Sequence, residues 1–154
     1  MKLDVVSVGT RMPSWLLEGW QDYARRMPSH LPLQLIEVDT AHPKEPKRAQ
    51  IEADHLLAKC APRCRRVALQ GGPNAWSTER LHASMERWLN DGDGVCFFIG
   101  GADGLAPELV ETCDERWSLG PAVFPHMLVR VLVAEQLYRA WTITQGHPYH
   151  RGEG

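Results

Sequence analysis

Val95-Cys-Phe-Phe-Ile-Gly-Gly-Ala-Asp-Gly-Leu105, followed by Arg116-Trp-Ser-Leu-Gly-Pro-Ala-Val-Phe-Pro-His126, is the stretch whose reading decides the fold. Five apolar residues, Val95 to Ile99, run without alternation and stop on two glycines, as a strand buried on both faces does. A second glycine-proline loop, Gly120-Pro121, follows a short candidate strand, Arg116 to Leu119. The chain then enters Met127-Leu-Val-Arg-Val-Leu-Val-Ala-Glu-Gln-Leu-Tyr-Arg-Ala-Trp-Thr-Ile143, a helix apolar nearly all round with a single charged stripe. Gly146-His-Pro-Tyr-His-Arg151 closes the motif. This succession looks more like a site than like packing alone.

Towards the N-terminus the same alternation repeats. Lys2 to Gly9 reads as a buried first strand, and Pro13 opens a helix carrying Trp15, Leu16, Trp20, Tyr23 and Ala24. Leu31 to Val38 reads as a second strand whose start is weakened by Pro32. After an exposed loop, Asp39 to Lys47, Pro46 can open a helix with Ile51, His55, Leu56 and Leu57 at helical spacing. Arg65 to Gln70 is a third strand that stops at Gly71-Gly72-Pro73-Asn74. Ser77 is a candidate N-cap for a helix through Leu81, Met85, Trp88 and Leu89. A short helix, Pro107 to Cys113, separates the fourth and fifth strands. Strands alternating with helices predict one α/β domain over residues 1–154, with a mostly parallel sheet flanked by helices.

The 44% hydrophobic and 23% charged residues are those of a soluble globular protein. No apolar run reaches the roughly 18 residues of a membrane span. The N-terminus lacks the apolar core of a secretory signal, so a cytoplasmic location is expected. A net charge of −2 leaves no global basic footprint for DNA or RNA. From Pro125 to Arg151, however, Glu135 is the only acid against Arg130, Arg139, Arg151, His126, His147 and His150, a local bias suited to phosphates. The spacing of Cys60 and Cys64 is not that of a zinc site, and Cys96 and Cys113 stand alone. Reduced, partly buried thiols and no metal are expected.

In a parallel sheet, ligands lie where loops leave the carboxyl ends of the strands. The three glycine-bearing loops after strands three, four and five are therefore expected to form one cleft. It lacks both the G-x-G-x-x-G fingerprint and a P-loop lysine. Leu69, Gly100 and the Leu119–Phe124 loop would offer apolar walls and peptide groups, which suit an adenine ring and a thioether better than a triphosphate. The apolar excess of the last helix has two readings, a symmetric dimer interface or the central helix of a monomer. Glu135 and Arg139, four apart, share one face of it.

Several motifs together resemble a known family. These are Met1-Lys-Leu-x-x-Val-x-Val-Gly-Thr10 with Met12-Pro13, Phe97-Phe-Ile-Gly-Gly-x-x-Gly-Leu105, Trp117-Ser-Leu119, Pro125-His-x-Leu-Val-Arg-Val-Leu-Val-Ala-Glu135, Leu137-Tyr-Arg-Ala-Trp-Thr-Ile143 and His147-Pro-Tyr-His-Arg151. They resemble the RlmH family, SPOUT-class methyltransferases of large-subunit ribosomal RNA. The resemblance implies a SPOUT fold with a C-terminal trefoil knot, a homodimer and S-adenosyl-L-methionine as cofactor. It implies methylation at N3 of a pseudouridine in a stem-loop of 23S rRNA on the assembled ribosome. It places Leu69, Gly100, Leu119, Gly120, Pro121, Ala122, Val123 and Phe124 at the cofactor. His126, Glu135, Arg139, Tyr149 and Arg151 fall on the acceptor side, with the tail reaching the partner's cofactor. Ala102-Asp103 departs from the family's frequent proline-glutamate pair. Glu135 or a histidine is the expected base. Another rRNA or tRNA base as target, or a non-catalytic ribosome-binding protein, remains the alternative.

Overall fold

The computed structural model describes residues 1–151. Five strands, β1 (Leu3–Val8), β2 (Leu33–Val38), β3 (Arg65–Leu69), β4 (Val95–Ile99) and β5 (Glu115–Trp117), form one sheet in the order β2-β1-β4-β3-β5. Every strand pairing in it is parallel. The connections are α1 (Ser14–Arg26), α2 (Arg48–Ala58), α3 (Thr78–Asp91) and α4 (Pro107–Thr112), and α5 (His126–Thr144) follows β5. A short 3-10 turn, Pro148–Arg151, ends the described chain.

Side-chain alternation sorts the sheet into two cores. Leu3 and Val5 of β1 and Val95, Phe97 and Ile99 of β4 face one core with Trp20 of α1, Leu81, Met85 and Trp88 of α3, and Val133, Leu137 and Ala140 of α5. Val6 and Val8, with Cys96 and Phe98, face the other, under Ala53 and Leu56 of α2 and Leu109 of α4. All five residues of β4 are buried, which is why its sequence shows no polar alternation. At about 25 cal/mol per Å2 each large apolar side chain here contributes about 2–3 kcal/mol.

Sequence boundaries shift where backbone donors are missing or diverted. β2 begins at Leu33 because Pro32 has no N–H, while its carbonyl accepts from the Leu3 amide at 2.9 Å. α2 begins at Arg48 rather than at Pro46, after turns that bond Glu45 N to His42 O and Arg48 N to Glu45 O. Ser77 caps α3 as expected, its hydroxyl accepting from Arg80 N at 3.1 Å. β5 stops at Trp117, short of Leu119, because Ser118 turns to the neighbouring loop.

α5 runs against both α1 and α3 on one face of the sheet. Val133, Ala134, Leu137 and Ala140 are buried against the sheet side, whereas Leu128, Val131 and Leu132 are half-buried. Much of the apolar excess is thus consumed inside one chain. Among the described residues, no helix is long and apolar enough to cross a membrane.

Candidate active site

The loops after β3, β4 and β5 converge at the carboxyl edge of the sheet. Gly72 and Gly120, Trp76 and Ser118 link the first and third loops through backbone bonds, at 3.0 Å for Trp76 N to Ser118 O. The Ser118 hydroxyl donates to Gly72 O at 3.1 Å and accepts from Gly120 N at 3.0 Å. One side chain therefore crosslinks both loops. Gly120 holds a φ of +108°, which favours a residue without Cβ. In the middle loop Gly104 N donates to Gly101 O at 3.0 Å, and a Cβ on Gly100 would sit 2.5 Å from the Gly104 carbonyl carbon. The Gly100 requirement is thus for close backbone approach.

Between these loops lies a cleft of about 550 Å3. All eight residues expected at the cofactor line it: Leu69, Gly100, Leu119, Gly120, Pro121, Ala122, Val123 and Phe124. Ile99, Trp117 and Val129 complete apolar walls, and no lysine or arginine is among the lining residues. Val123 at the mouth is 95% exposed. His126, the first residue of α5, also lines the cleft. Burial, helped by the positive charge of Arg130 and opposed by Glu52, lowers its pKa and keeps the ring neutral.

The remaining acceptor-side residues gather elsewhere. Glu135 lines a second cleft of about 350 Å3, with Trp76, Ser77, Thr78, Leu81, Leu132 and Gln136. Trp117, Leu119 and Phe124 border both clefts, so a single wall of side chains separates Glu135 from the first. The Arg139 guanidinium donates to Glu135 Oε1 through Nε, at 2.8 Å, and through Nη2. Gln136 Nε2 donates to Oε2 at 2.8 Å. The Tyr149 hydroxyl lies 3.2 Å from both Glu135 Oε1 and the Tyr23 hydroxyl. Burial, the Tyr23 hydroxyl and the Glu135 charge raise the Tyr149 pKa, so the phenol stays protonated and can donate.

The same residues pin the tail. Arg139 Nη1 donates to His150 O at 3.1 Å, its guanidinium stands 5.0 Å from the Tyr149 ring centre, and that ring meets Tyr138 edge-on at 4.8 Å. Tyr149 is buried against its own α5, so residues 148–151 pack onto the domain as a 3-10 turn. Arg151 is exposed and lines neither cleft. The structure thus brings Glu135, Arg139 and Tyr149 together, and places His126 apart from them.

Two residues escaped sequence reasoning. Arg130 counted only as local basic charge, yet it is fully buried. It donates to Ser7 Oγ at 2.8 Å, Glu37 Oε2 at 2.6 Å, Val8 O at 3.1 Å and Gly9 O at 2.8 Å. An arginine within Leu128-Val-Arg-Val-Leu132 was a usable signal, because a charge in an apolar run is costly unless paired. Glu52 is 1% exposed behind the glycine turn, where a Cβ on Gly101 would meet its Oε1 at 3.2 Å. Nothing in the sequence marks that acid as buried.

The family model described as "Predicted SPOUT methyltransferase" matches residues 1–150. A protein of Azotobacter vinelandii named ribosomal RNA large subunit methyltransferase H is 46% identical over 157 residues, covering 98% of this chain and all of that protein. Proteins with the same name in Pseudomonas fluorescens and Ectopseudomonas mendocina are 46% and 44% identical over 155 residues, again covering 98% of this chain and the whole relative. Two solved structures share the fold at low identity. A probable methylase family protein of Haemophilus influenzae superposes with a TM-score of 0.57 at 11% identity, over 96% of this chain and 68% of that one. A probable methyltransferase of Bordetella pertussis reaches 0.54 at 17%, over 90% and 95%. With its parallel sheet, its crosslinked glycine loops and this match over nearly its whole length, the chain belongs to the SPOUT methyltransferase family.

Proposed function

We propose that this chain transfers a methyl group from S-adenosyl-L-methionine to N3 of a pseudouridine in a stem-loop of 23S rRNA, on the assembled ribosome, as a cytoplasmic homodimer. The observation that carries the reading is the first cleft. Its apolar walls and peptide groups fit an adenine ring and a thioether chain, and the lack of lining cations suits a positively charged sulfonium rather than a phosphate. When bound, that cofactor supplies an electrophilic methyl. The relatives' shared name is the support for rRNA as substrate. The hydrogen-bonded loops 70–76 and 118–125 are where the trefoil knot would lie.

The chain's own part is positioning and proton removal. The glycine loops hold the donor rigidly, and alignment of the reacting atoms supplies much of the acceleration in such reactions. The imide proton at N3 must leave. His126, neutral and in the first cleft, has a free ring lone pair to take it. Both oxygens of Glu135 already accept from Arg139, Gln136 or Tyr149, so that carboxylate serves the acceptor side by fixing the tail. Arg151, exposed on the tail, would grip phosphate. A second copy would cover the exposed Trp15, Leu17 and Val123 and bring its tail to this cleft. The slightly acidic chain needs a preformed target rather than electrostatic wrapping.

The test is methyl incorporation from labelled S-adenosyl-L-methionine into ribosomes from cells lacking this activity, with nucleoside mass analysis. N3-methylated pseudouridine is the expected product. Label in another nucleoside would discard the substrate, and methylation of naked rRNA as fast as of ribosomes would discard the assembled ribosome.

A further inference from the structure

Cys60 and Cys64 bracket the connection from α2 to β3, and Cys96 is the second residue of β4. The fold brings the three sulfurs within 4.8 Å of one another, although their spacing in sequence announces no metal motif and Cys96 was expected to stand alone. Cys96 is fully buried, and Cys60 and Cys64 are half-buried with their sulfurs in contact. The cluster lies on the α2–α4 face, towards the amino ends of the strands, whereas the clefts described above open at the carboxyl edge.

We propose that Cys60, Cys64 and Cys96 form a three-sulfur site for one thiophilic metal ion of the zinc class. Sulfurs bound to a common zinc at about 2.3 Å in tetrahedral geometry stand about 3.8 Å apart, so the three sulfurs lie within reach once Cys60 and Cys64, 2.7 Å apart, open by about 1 Å. The charge balance is favourable. Three thiolates and one divalent ion carry a net charge of −1, and the Arg66 guanidinium stands beside Cys60 and Cys64 to offset it. An entry path exists: Cys64 lines a cleft of about 430 Å3 with Asp91, Asp93 and Asp114, whose charge Arg63 and Arg65 offset in part. Each sulfur–metal bond that forms replaces an S–H bond whose proton leaves to solvent, and no electron moves. Water completes the coordination sphere. The ion ties the end of α2 to the sheet and is structural, remote from methyl transfer.

The experiment uses the full chain, reduced, stripped with a chelator and kept anaerobic. Titration with Cd2+ should raise sulfur-to-metal charge-transfer absorption that saturates at one ion per chain, and Zn2+ should displace it. Zn2+ should also slow alkylation of Cys60 and Cys64 and raise the thermal midpoint over that in chelator. Cys64→Ser, at a half-exposed turn, should weaken binding by more than the about 10–100-fold that loss of an outer-sphere partner costs. No saturation at one equivalent, or equal affinity in Cys64→Ser, overturns the site. So does a Cys60–Cys64 disulfide in protein whose thiols are blocked at lysis, which would make the pair a redox couple.

Discussion

Arg130→Met removes what is, among the described residues, the one cation buried in the main core, and exposes how that core is held to the site. The side chain is 0% exposed and donates to four oxygen acceptors, at 2.6 to 3.1 Å, and to the Met12 sulfur at 3.7 Å. Methionine keeps the apolar stem, so the loss falls on the acceptors. Breaking a buried pair by removing one partner costs about 3–5 kcal/mol. Glu37 is 33% exposed and recovers part of its loss from water, which puts the estimate at the lower end, about 3 kcal/mol. For a domain of this size that is a fall in Tm of about 6–12 °C. Urea unfolding measures the first quantity and calorimetry the second. The same substitution removes a charge that depresses His126, so the His126 pKa should rise towards its usual value, read by NMR titration of the ring. The sign for stability follows. A base buried neutral binds fewer protons folded than unfolded, so wild-type stability should fall as pH drops through about 6.5, and Arg130→Met should flatten that fall. A loss below about 1 kcal/mol with an unmoved His126 would refute the reasoning, because the hydrogen bonds would then be no better than those to water.

Three further outcomes are expected. Ser77→Ala removes the α3 cap on Arg80 N and should cost about 1 kcal/mol in urea unfolding, without changing the m-value. Gly100→Ala places a Cβ against the Gly104 backbone at 2.5 Å, so the turn must open. Calorimetric binding of S-adenosyl-L-methionine should weaken at least about tenfold, and unchanged affinity would show that the turn does not shape the cleft. Glu135→Gln and Tyr149→Phe should both loosen the tail, seen as faster amide exchange at Tyr149 and His150, with turnover reduced and donor affinity nearly intact. If Glu135→Gln instead abolishes turnover while the tail amides stay protected, the carboxylate is a base and not a clamp.

What the sequence by itself determined is the local order of the chain. β4 was readable to the residue because a strand buried on both faces must be apolar throughout, and Ser77 because a cap is a local hydrogen bond. The three glycine loops were readable as one cleft, since parallel strands send their loops to a common edge, and all eight residues named for it line it. The motifs also carried the family. Only tertiary structure decided which charges are buried and which distant side chains meet. Arg130 reaches Ser7 across 123 residues, and Tyr149 reaches Tyr23 across 126. Cys96 joins Cys60 and Cys64 only when β4 is laid beside β1 and β3 under α2. Periodicity records which face of an element is apolar, but a polar contact depends on the register and packing of separate elements, which no local pattern encodes.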